Sequence, residues 1–354
     1  MFTTRRIATM GGDKFKDELS VAFDGSDDYV EISGVPSFNY NVNSISIWVN
    51  PAAESGSMSL FDYRDANNDG VHVFLGDGDV TYQIDNTDGH YDTKLPLNQW
   101  SHIVCTNDGS TSTIYVNGVS VETADTSGET INVSGSAVIR IGARSHTSTN
   151  NFFQGNISEV AIYDKALSAS EANTLYNGRE PYNHKEGVCS SNLQAWWRMG
   201  DSAIYPAPVV QDETNTNLGA NKVTDGGFPN GDNWTVNTGW AVSSGVATCS
   251  SGFASLEQDV SAVAGEIYRV EFQASSWTEG VLVIAVGGHI LTETSVTNGY
   301  HVKFFQATDT TNLKFYSVVG AQFRGSIDNV SVKKINGNPG YLYSGAEIVG
   351  GSPW

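Results

Sequence analysis

Short alternations of apolar and polar residues run along most of this chain, and they predict strands rather than helices. In SISIWVN (44–50), Ile45, Ile47 and Val49 fall on one face and Trp48 on the other. Residues 19–32, LSVAFDGSDDYVEI, read as a hairpin: Val21 and Phe23 alternate, Asp24-Gly25 turns the chain, and Tyr29 to Ile32 returns. Strands are predicted at about 58–63, 71–75 and 79–84, then at 100–106, 113–121 and 138–141. Asn117-Gly118 in the fifth of these is a strong tight-turn signal. The stretch 155–178, GNISEVAIYDKALSASEANTLYNG, organises the first half. Val160 and Ile162 share a face while Ile157 is out of phase, which implies a bulge or a strand covered on both sides. Ser168-Ala-Ser-Glu171 is a capping box, so a short helix is predicted near residues 168–177, with Gly178 as its stop. The spacing of Ile157, Val160 and Ile162 recurs at Ile327, Val330 and Val332. The fold class read from this pattern is all-β: two tandem antiparallel β-sandwiches with one short helix.

The boundaries follow from the breaks in the pattern. Residues 1–18 form an N-terminal arm, 19–204 a first sandwich, 205–222 a linker, 223–335 a second sandwich and 336–354 a C-terminal extension. Within the first unit, Leu193–Asp201 (LQAWWRMGD) supplies one more strand, with Trp196 and Trp197 on opposite faces. The linker is assigned because the text after Asp201 is rich in Pro and Asn.

Composition narrows the function. Charged residues make up 16% of the chain, below the roughly 25% of an average domain. The surface is therefore built of Ser, Thr, Asn and Gly. A formal net charge of −20 excludes nucleic acid as a partner, since phosphate binding needs clustered Lys and Arg. No apolar run reaches 18 residues, so no membrane partner is expected, and the first 18 residues hold no signal-peptide core. The arm carries Arg5, Arg6, Lys14 and Lys16 against an acidic remainder, a pattern suited to docking on an acidic neighbour. Cys105, Cys189 and Cys249 are far apart in sequence and are expected to be unpaired.

Catalytic signatures are missing. The chain has no G-x-S-x-G, no H-E-x-x-H and no P-loop, and its seven histidines are scattered. His102 is read as an outward-facing strand residue. Carboxylates are plentiful, but many sit in D-G turns. Asp65-Ala-Asn67-Asn-Asp69-Gly70 matches the first half of a calcium loop, although Gly76 stands where the twelfth-position glutamate belongs. A hairpin loop and a structural Ca2+ site through Asp65, Asn67 and Asp69 are both open readings.

The segments FDGSDDYVEI, SISIWVNP, LPLNQWSHIVCT, TIYVNGVSV and GNISEVAIYDKALSASEANTLYNG, in that order over 19–178, resemble a laminin-G-like or concanavalin-A-like jelly roll. Followed by WWRMGD, the arrangement is similar to structural proteins of tailed bacteriophages. Residues 223–335 resemble the galactose-binding-like jelly roll of carbohydrate-binding modules of families 4, 9 and 22. The second resemblance implies a structural calcium near the chain ends, matched here by Asp328 with Asp225. Trp234 and Trp240 are expected in the core. Trp277, Tyr316 and Phe323 are the expected exposed aromatics for stacking a sugar. Together the resemblances imply a non-enzymatic virion protein: a capsid fibre, decoration protein or tail fibre, made in the host cytoplasm and present in many copies beside other virion proteins. It would have access to host-surface polysaccharide. The alternatives are a carbohydrate-binding adhesin and a non-catalytic part of a glycan-degrading enzyme.

Overall fold

A computed structural model describes residues 18–351 and 353, apart from 35, 37–40, 55, 86, 135–136, 146–147, 202–207, 252 and 294–296; the side chains of 87–93 and 293 are likewise left aside. The N-terminal arm lies outside the described residues except for Glu18. The fold is all-β with one short α-helix, and its strands form four antiparallel sheets that stack as two jelly-roll sandwiches.

The first sandwich has two eight-stranded sheets. In the first sheet the strands Val119–Asp125, Thr111–Val116, Ser101–Asn107, Asn43–Pro51, Gln154–Tyr163, Leu19–Asp24 and Glu347–Gly350 lie side by side, and Leu193–Trp197 also pairs with Gln154–Tyr163. The second sheet runs Val209–Val210, Gly340–Tyr343, Tyr29–Ile32, Ile139–Ile141, Ser57–Arg64, Gly70–Gly76, Asp79–Ile84, Thr87–Lys94. Their facing apolar rows make one core that includes Val21, Ile47, Phe61, Val73, Tyr82, Ile103 and Trp197. The hairpin expected at 19–32 is not a hairpin. Leu19–Asp24 and Tyr29–Ile32 lie in opposite sheets, so the turn at Gly25 carries the chain across the sandwich.

The out-of-phase Ile157 is explained by both devices expected of it. A bulge separates Ser158 from Ala161 against the neighbouring strand, with Glu159 in the left-handed region at φ 49°. The extra residue returns Ile157, Val160 and Ile162 to the same core. The strand is also covered on its other face, where Ala161, Tyr163 and Trp196 meet Ala172 and Leu175 of the helix Ala169–Tyr176. Ser168 caps that helix with the reciprocal Glu171 contact, and Asn177, at φ 49°, ends it one residue before Gly178. Trp197 and Trp196 face opposite sides as the sequence implied, one in each apolar cluster. His102 does point away from the main core, but it is buried: it stacks on Trp48 at 4.9 Å, under Tyr176 at 6.3 Å.

The second sandwich comprises a six-stranded third sheet (Trp240–Ser243, Val246–Cys249, Arg324–Ile335, Ile267–Glu279, Gly299–Gln306, with Leu218–Asn221 on Arg324–Ile335) and a five-stranded fourth sheet (Thr235–Val236, Leu256–Gln258, Leu313–Ser317, Leu282–Val286, His289–Glu293). The repeated spacing has the same geometric basis. Asn329, at φ 51°, bulges between Asp328 and Ser331 and brings Ile327, Val330 and Val332 onto one core. Trp234 and Trp240 are buried in that core, as expected.

The extension and the start of the segment assigned as linker are structural parts of the first sandwich, while the linker's Leu218–Asn221 pairs with Arg324–Ile335 of the second. Val209–Val210 pairs with Gly340–Tyr343, which continues onto Tyr29–Ile32, and Glu347–Gly350 pairs with Leu19–Asp24. The second sandwich is thus inserted between two strands of the first. Where the chain leaves and returns, the buried Asp212 accepts hydrogen bonds from Trp196 N (3.2 Å), Thr214 N (2.9 Å), Thr214 Oγ1 (2.7 Å) and from both Asn338 N and Nδ2 (3.1 Å each). Trp197 Nε1 donates to Asn338 O at 2.7 Å. Gly337, at φ 80°, leaves room here: a Cβ would sit 2.8 Å from Asn215 O. Val209 and Tyr341 on one side and Ile267, Phe304 and Ile335 on the other form an apolar seam between the sandwiches. Tyr343 Oη donates to Gln306 Oε1 across it, and Gln306 Nε2 donates to Ser33 Oγ at 2.9 Å.

Asp212→Ala strands several buried donors at once, so it should lower the unfolding free energy by about 3 kcal/mol or more in urea titration. A change within about 0.5 kcal/mol, the range of an ordinary surface substitution, would mean the crossing is held by the strand pairing alone.

Buried histidines set a pH dependence. Burial pushes His102 and His184 down to about 3, and does the same to His72 on the second sheet. Their folded values lie below the ordinary 6.5, so between about 6.5 and 3 the unfolded chain binds more protons and stability falls as pH falls. Burial has the opposite result on Glu159: it raises this carboxyl, the Arg198 guanidinium opposing, so Glu159 holds its proton longer when folded and costs stability as pH rises. Unfolding near pH 5.5 should therefore take up about two protons net, read from the slope of stability against pH. A flat profile from pH 7 to 5 would contradict the burial of these rings.

Candidate functional site

Two surfaces gather the chemistry. On the outward face of the fourth sheet, the strand Leu313–Ser317 turns Leu313 and Phe315 into the core and presents Lys314 and Tyr316. Ala285 and Ile290 continue that face on the two adjoining strands, which are opposed in register. A loop brings Phe253 alongside. The cleft between them, about 480 Å3, is lined by Phe253, Ile290 and Tyr316 with Asn237, Thr311 and Lys314 among its polar groups. Phe253 is 45% and Ile290 57% exposed, an unusual showing for large apolar side chains. Asp309 also lines it, its carboxyl held below the ordinary range by the Thr311 N–H. Lys314 reaches Glu257 at 3.3 Å.

The three aromatics expected from sequence do not converge. Tyr316, half-buried, lines this cleft. Trp277 belongs to the third sheet, where a break in register at 275–279 with Ser276 at φ 53° tilts it against the second core; its ring N–H donates to Gly280 O at 3.4 Å. Phe323 is fully buried beside Trp240, their centroids 6.2 Å apart, and so is removed from the set of exposed aromatics. It follows the isolated turn pairing Val318↔Ala321, and its N–H binds Ser317 Oγ at 3.0 Å, which pulls the ring inward. Phe253 and Ile290 were missed. Their signals were a lone aromatic in SSGFAS and the outward phase of GGHILTE.

The outward face of the second sheet is the other surface. The bulge between Ser59 and Phe61 sends Leu60 and Phe61 both to the core and leaves Asp62 and Arg64 outside it. Asp62, fully buried, accepts from Arg64 Nε (2.9 Å), Arg64 Nη2 (2.8 Å) and Ser145 N (3.0 Å). These partners outweigh its desolvation and hold the Asp62 carboxyl below its ordinary value. Arg64 Nη1 donates to Asn68 Oδ1 at 2.7 Å and Gln83 Oε1 at 2.6 Å. His72 Nε2 lies 2.8 Å from Ser59 Oγ and its ring stacks on Phe74 at 4.5 Å. Beyond this group, Arg140 forks onto Glu31 Oε2 at 3.1 and 3.0 Å. A cleft of about 670 Å3 lies between the two arginines.

The expected calcium ligands are placed as follows. Asp65 Oδ1 accepts from Asn67 N (2.8 Å) and Asp69 N (3.2 Å), and Oδ2 from Ser134 N (3.0 Å) and Ser134 Oγ (2.7 Å). These bonds overcome burial and lower its carboxyl to about 2. Both oxygens accept from protein donors, so the loop is a hydrogen-bonded turn built around Asp65. Asp225 and Asp328 lie on adjoining segments, since Val330 N binds Gly226 O at 2.9 Å. Asp225 accepts from Asn233 Nδ2, and Asp328 from Asn329 N and Nδ2. Among the described residues one trio of acidic side chains converges, Asp24, Asp27 and Asp28, and Asp28 there accepts from Asp24 N and Gly345 N.

Residues 24–173 match the profile of the Concanavalin A-like lectin/glucanases superfamily. No curated protein matches the sequence. Among solved structures, a heptameric SAP-like pentraxin from Limulus polyphemus is 15% identical with a TM-score of 0.39, covering 45% of this chain and 82% of its own. A putative carbohydrate binding protein from Bacteroides ovatus is 15% identical with a TM-score of 0.44 over 56% of each chain. Domain 4 of an extracellular arabinanase from Geobacillus stearothermophilus, in complex with arabinotriose, is 22% identical with a TM-score of 0.36, covering 44% of this chain and 76% of that one. By the profile match, the stretch 24–173 is similar to the concanavalin-A-like jelly rolls, the resemblance its segments suggested.

Proposed function

We propose that the protein is a non-enzymatic glycan-binding protein whose sugar platform is the Tyr316 cleft of the second sandwich. The observation that carries this reading is the exposure of Phe253 and Ile290 beside Tyr316, with Asn237, Thr311 and Lys314 at hand. Apolar faces accept the C–H face of a pyranose ring, and a few amide, hydroxyl and ammonium groups fix its orientation. Hydrolysis would need two facing carboxyls, one of them able to hold a proton near neutral pH. Asp309 is the single carboxylate lining this cleft, and its lowered pKa keeps it ionised. In the cleft of the first sandwich, Glu31 is tied to Arg140 and Asp65 to Ser134. Binding is the reading these environments support.

On a glycan array, the full chain should retain at least one saccharide. Tyr316→Ala and Phe253→Ala should each weaken that binding ten-fold or more, while Trp277→Ala, outside the cleft, should not. Retention unchanged in both cleft variants, or no saccharide retained at all, would defeat the reading.

The setting we infer is a bacteriophage particle: a capsid fibre, decoration protein or tail fibre, in which sandwich surfaces meet host polysaccharide. This part rests on the sequence resemblance and on the basic residues of the arm, Arg5, Arg6, Lys14 and Lys16, in a chain of net charge −20. A chain lacking residues 1–17 keeps every described strand, so its melting temperature should match the full chain while its incorporation into particles fails. Finding the full chain absent from purified particles would remove the virion setting and leave the glycan reading standing.

A further inference from the structure

Arg144 differs from Arg64 and Arg140, its neighbours on the second sheet. Arg64 is neutralised by Asp62 and Arg140 by Glu31. Arg144 makes no side-chain hydrogen bond, ion pair or ring contact to any described residue, and its Nε is shut off from water without a partner. Leaving a buried charged donor unpaired is costly. Acidic groups are abundant, 39 against 19 Lys and Arg, yet none of the described ones pairs with this guanidinium. It lines a pocket of about 410 Å3 on the outward face of the second sheet, together with Arg64, Asn68, Gln83, the stacked pair His72 and Phe74, and Ser57 and Asn151. Asn151 Nδ2 donates to Ser57 Oγ at 3.2 Å, which leaves the Asn151 carbonyl oxygen and the serine O–H for a ligand.

We propose that this pocket binds an acidic sugar, a uronic or sialic acid unit of a glycan, with Arg144 taking its carboxylate. The two terminal amino groups of the guanidinium match the two oxygens of a carboxylate, and no anion among the described residues is paired with it. The amide and hydroxyl rim suits ring hydroxyls, and the partly exposed Phe74 supplies an apolar edge. The space is large enough for one sugar ring. The site is on the other sandwich from the Tyr316 cleft. It extends the glycan reading to a second, charge-selective contact and does not need the first.

The test is titration calorimetry on the full chain with free glucuronic acid, N-acetylneuraminic acid, glucose and acetate. At least one of the two acidic sugars should bind, glucose should not bind at this site, and acetate should bind at least ten-fold more weakly than the acid. Arg144→Gln should weaken the acidic sugar ten-fold or more; Arg144→Lys, which keeps the charge and loses the fork, should fall between. Tyr316→Ala should leave this binding unchanged, which separates the failure of this inference from failure of the Tyr316 cleft. Unaltered melting of the Arg144 variants would exclude a folding defect. Acidic sugar bound equally by Arg144→Gln, neither acid bound by the native chain, or acetate bound as well as glucuronate would overturn the proposal.

Discussion

The first sandwich is completed by strands that come after the second has been made, and the rest of the molecule depends on that return. Val209–Val210 and Gly340–Tyr343 hold each other as neighbours, and one buried carboxylate, Asp212, ties Trp196, Thr214 and Asn338 together at their base. Loop-closure entropy grows only slowly with the length of the insertion, so a whole sandwich can be tolerated between two paired strands if the closing contacts are strong. Asp212 concentrates those contacts on one side chain. The same crossing brings Tyr341 against Ile267 and Phe304, so closing one sandwich also seats the other.

Each sandwich is built around a central strand that is bent at one residue of positive φ. In the second this is Asn329, a type that visits the left-handed region at low cost. In the first it is Glu159, for which the conformation costs about 1–2 kcal/mol. Glu159 is held there by Trp196 Nε1 at 2.5 Å, from the strand that precedes the crossing, and by Arg198 Nε at 3.3 Å, from just after that strand. The bend lets Gln154–Tyr163 serve two neighbours on one edge: Leu19–Asp24 before the bulge and Leu193–Trp197 after it. The strain is thus tied to the topology, not to a reacting group.

The outward sheet faces of the two sandwiches differ in kind. On the second sheet, charges are mostly answered from within, Asp62 by Arg64 and Glu31 by Arg140, which makes a rigid polar floor. On the fourth sheet, apolar and aromatic side chains stay in solvent. A self-satisfied floor fixes geometry and makes an unpaired group on it, such as Arg144, stand out. An unsatisfied apolar face offers binding energy directly, through area that a ligand can cover.

Local rules are legible in the sequence, and they settled the strands, the capping box at Ser168–Glu171, the opposed faces of Trp196 and Trp197, and the paired spacing at Ile157 and Ile327. Each depends on residues within a few positions of one another, so periodicity and capping suffice. Long-range pairing decided the rest. Nothing local in 336–350 says that these strands join Leu19–Asp24 and Tyr29–Ile32, and nothing in Asp24-Gly25 says that its turn spans two sheets rather than one. Which of the candidate aromatics share a surface is likewise decided at long range. An aromatic between strands is exposed or buried according to which sheet covers it: Tyr316 lines a cleft, Trp277 leans on the core and Phe323 is within it. The sequence contains every group on the two outward faces, but their convergence is a property of register and bulges that only the folded sheets possess.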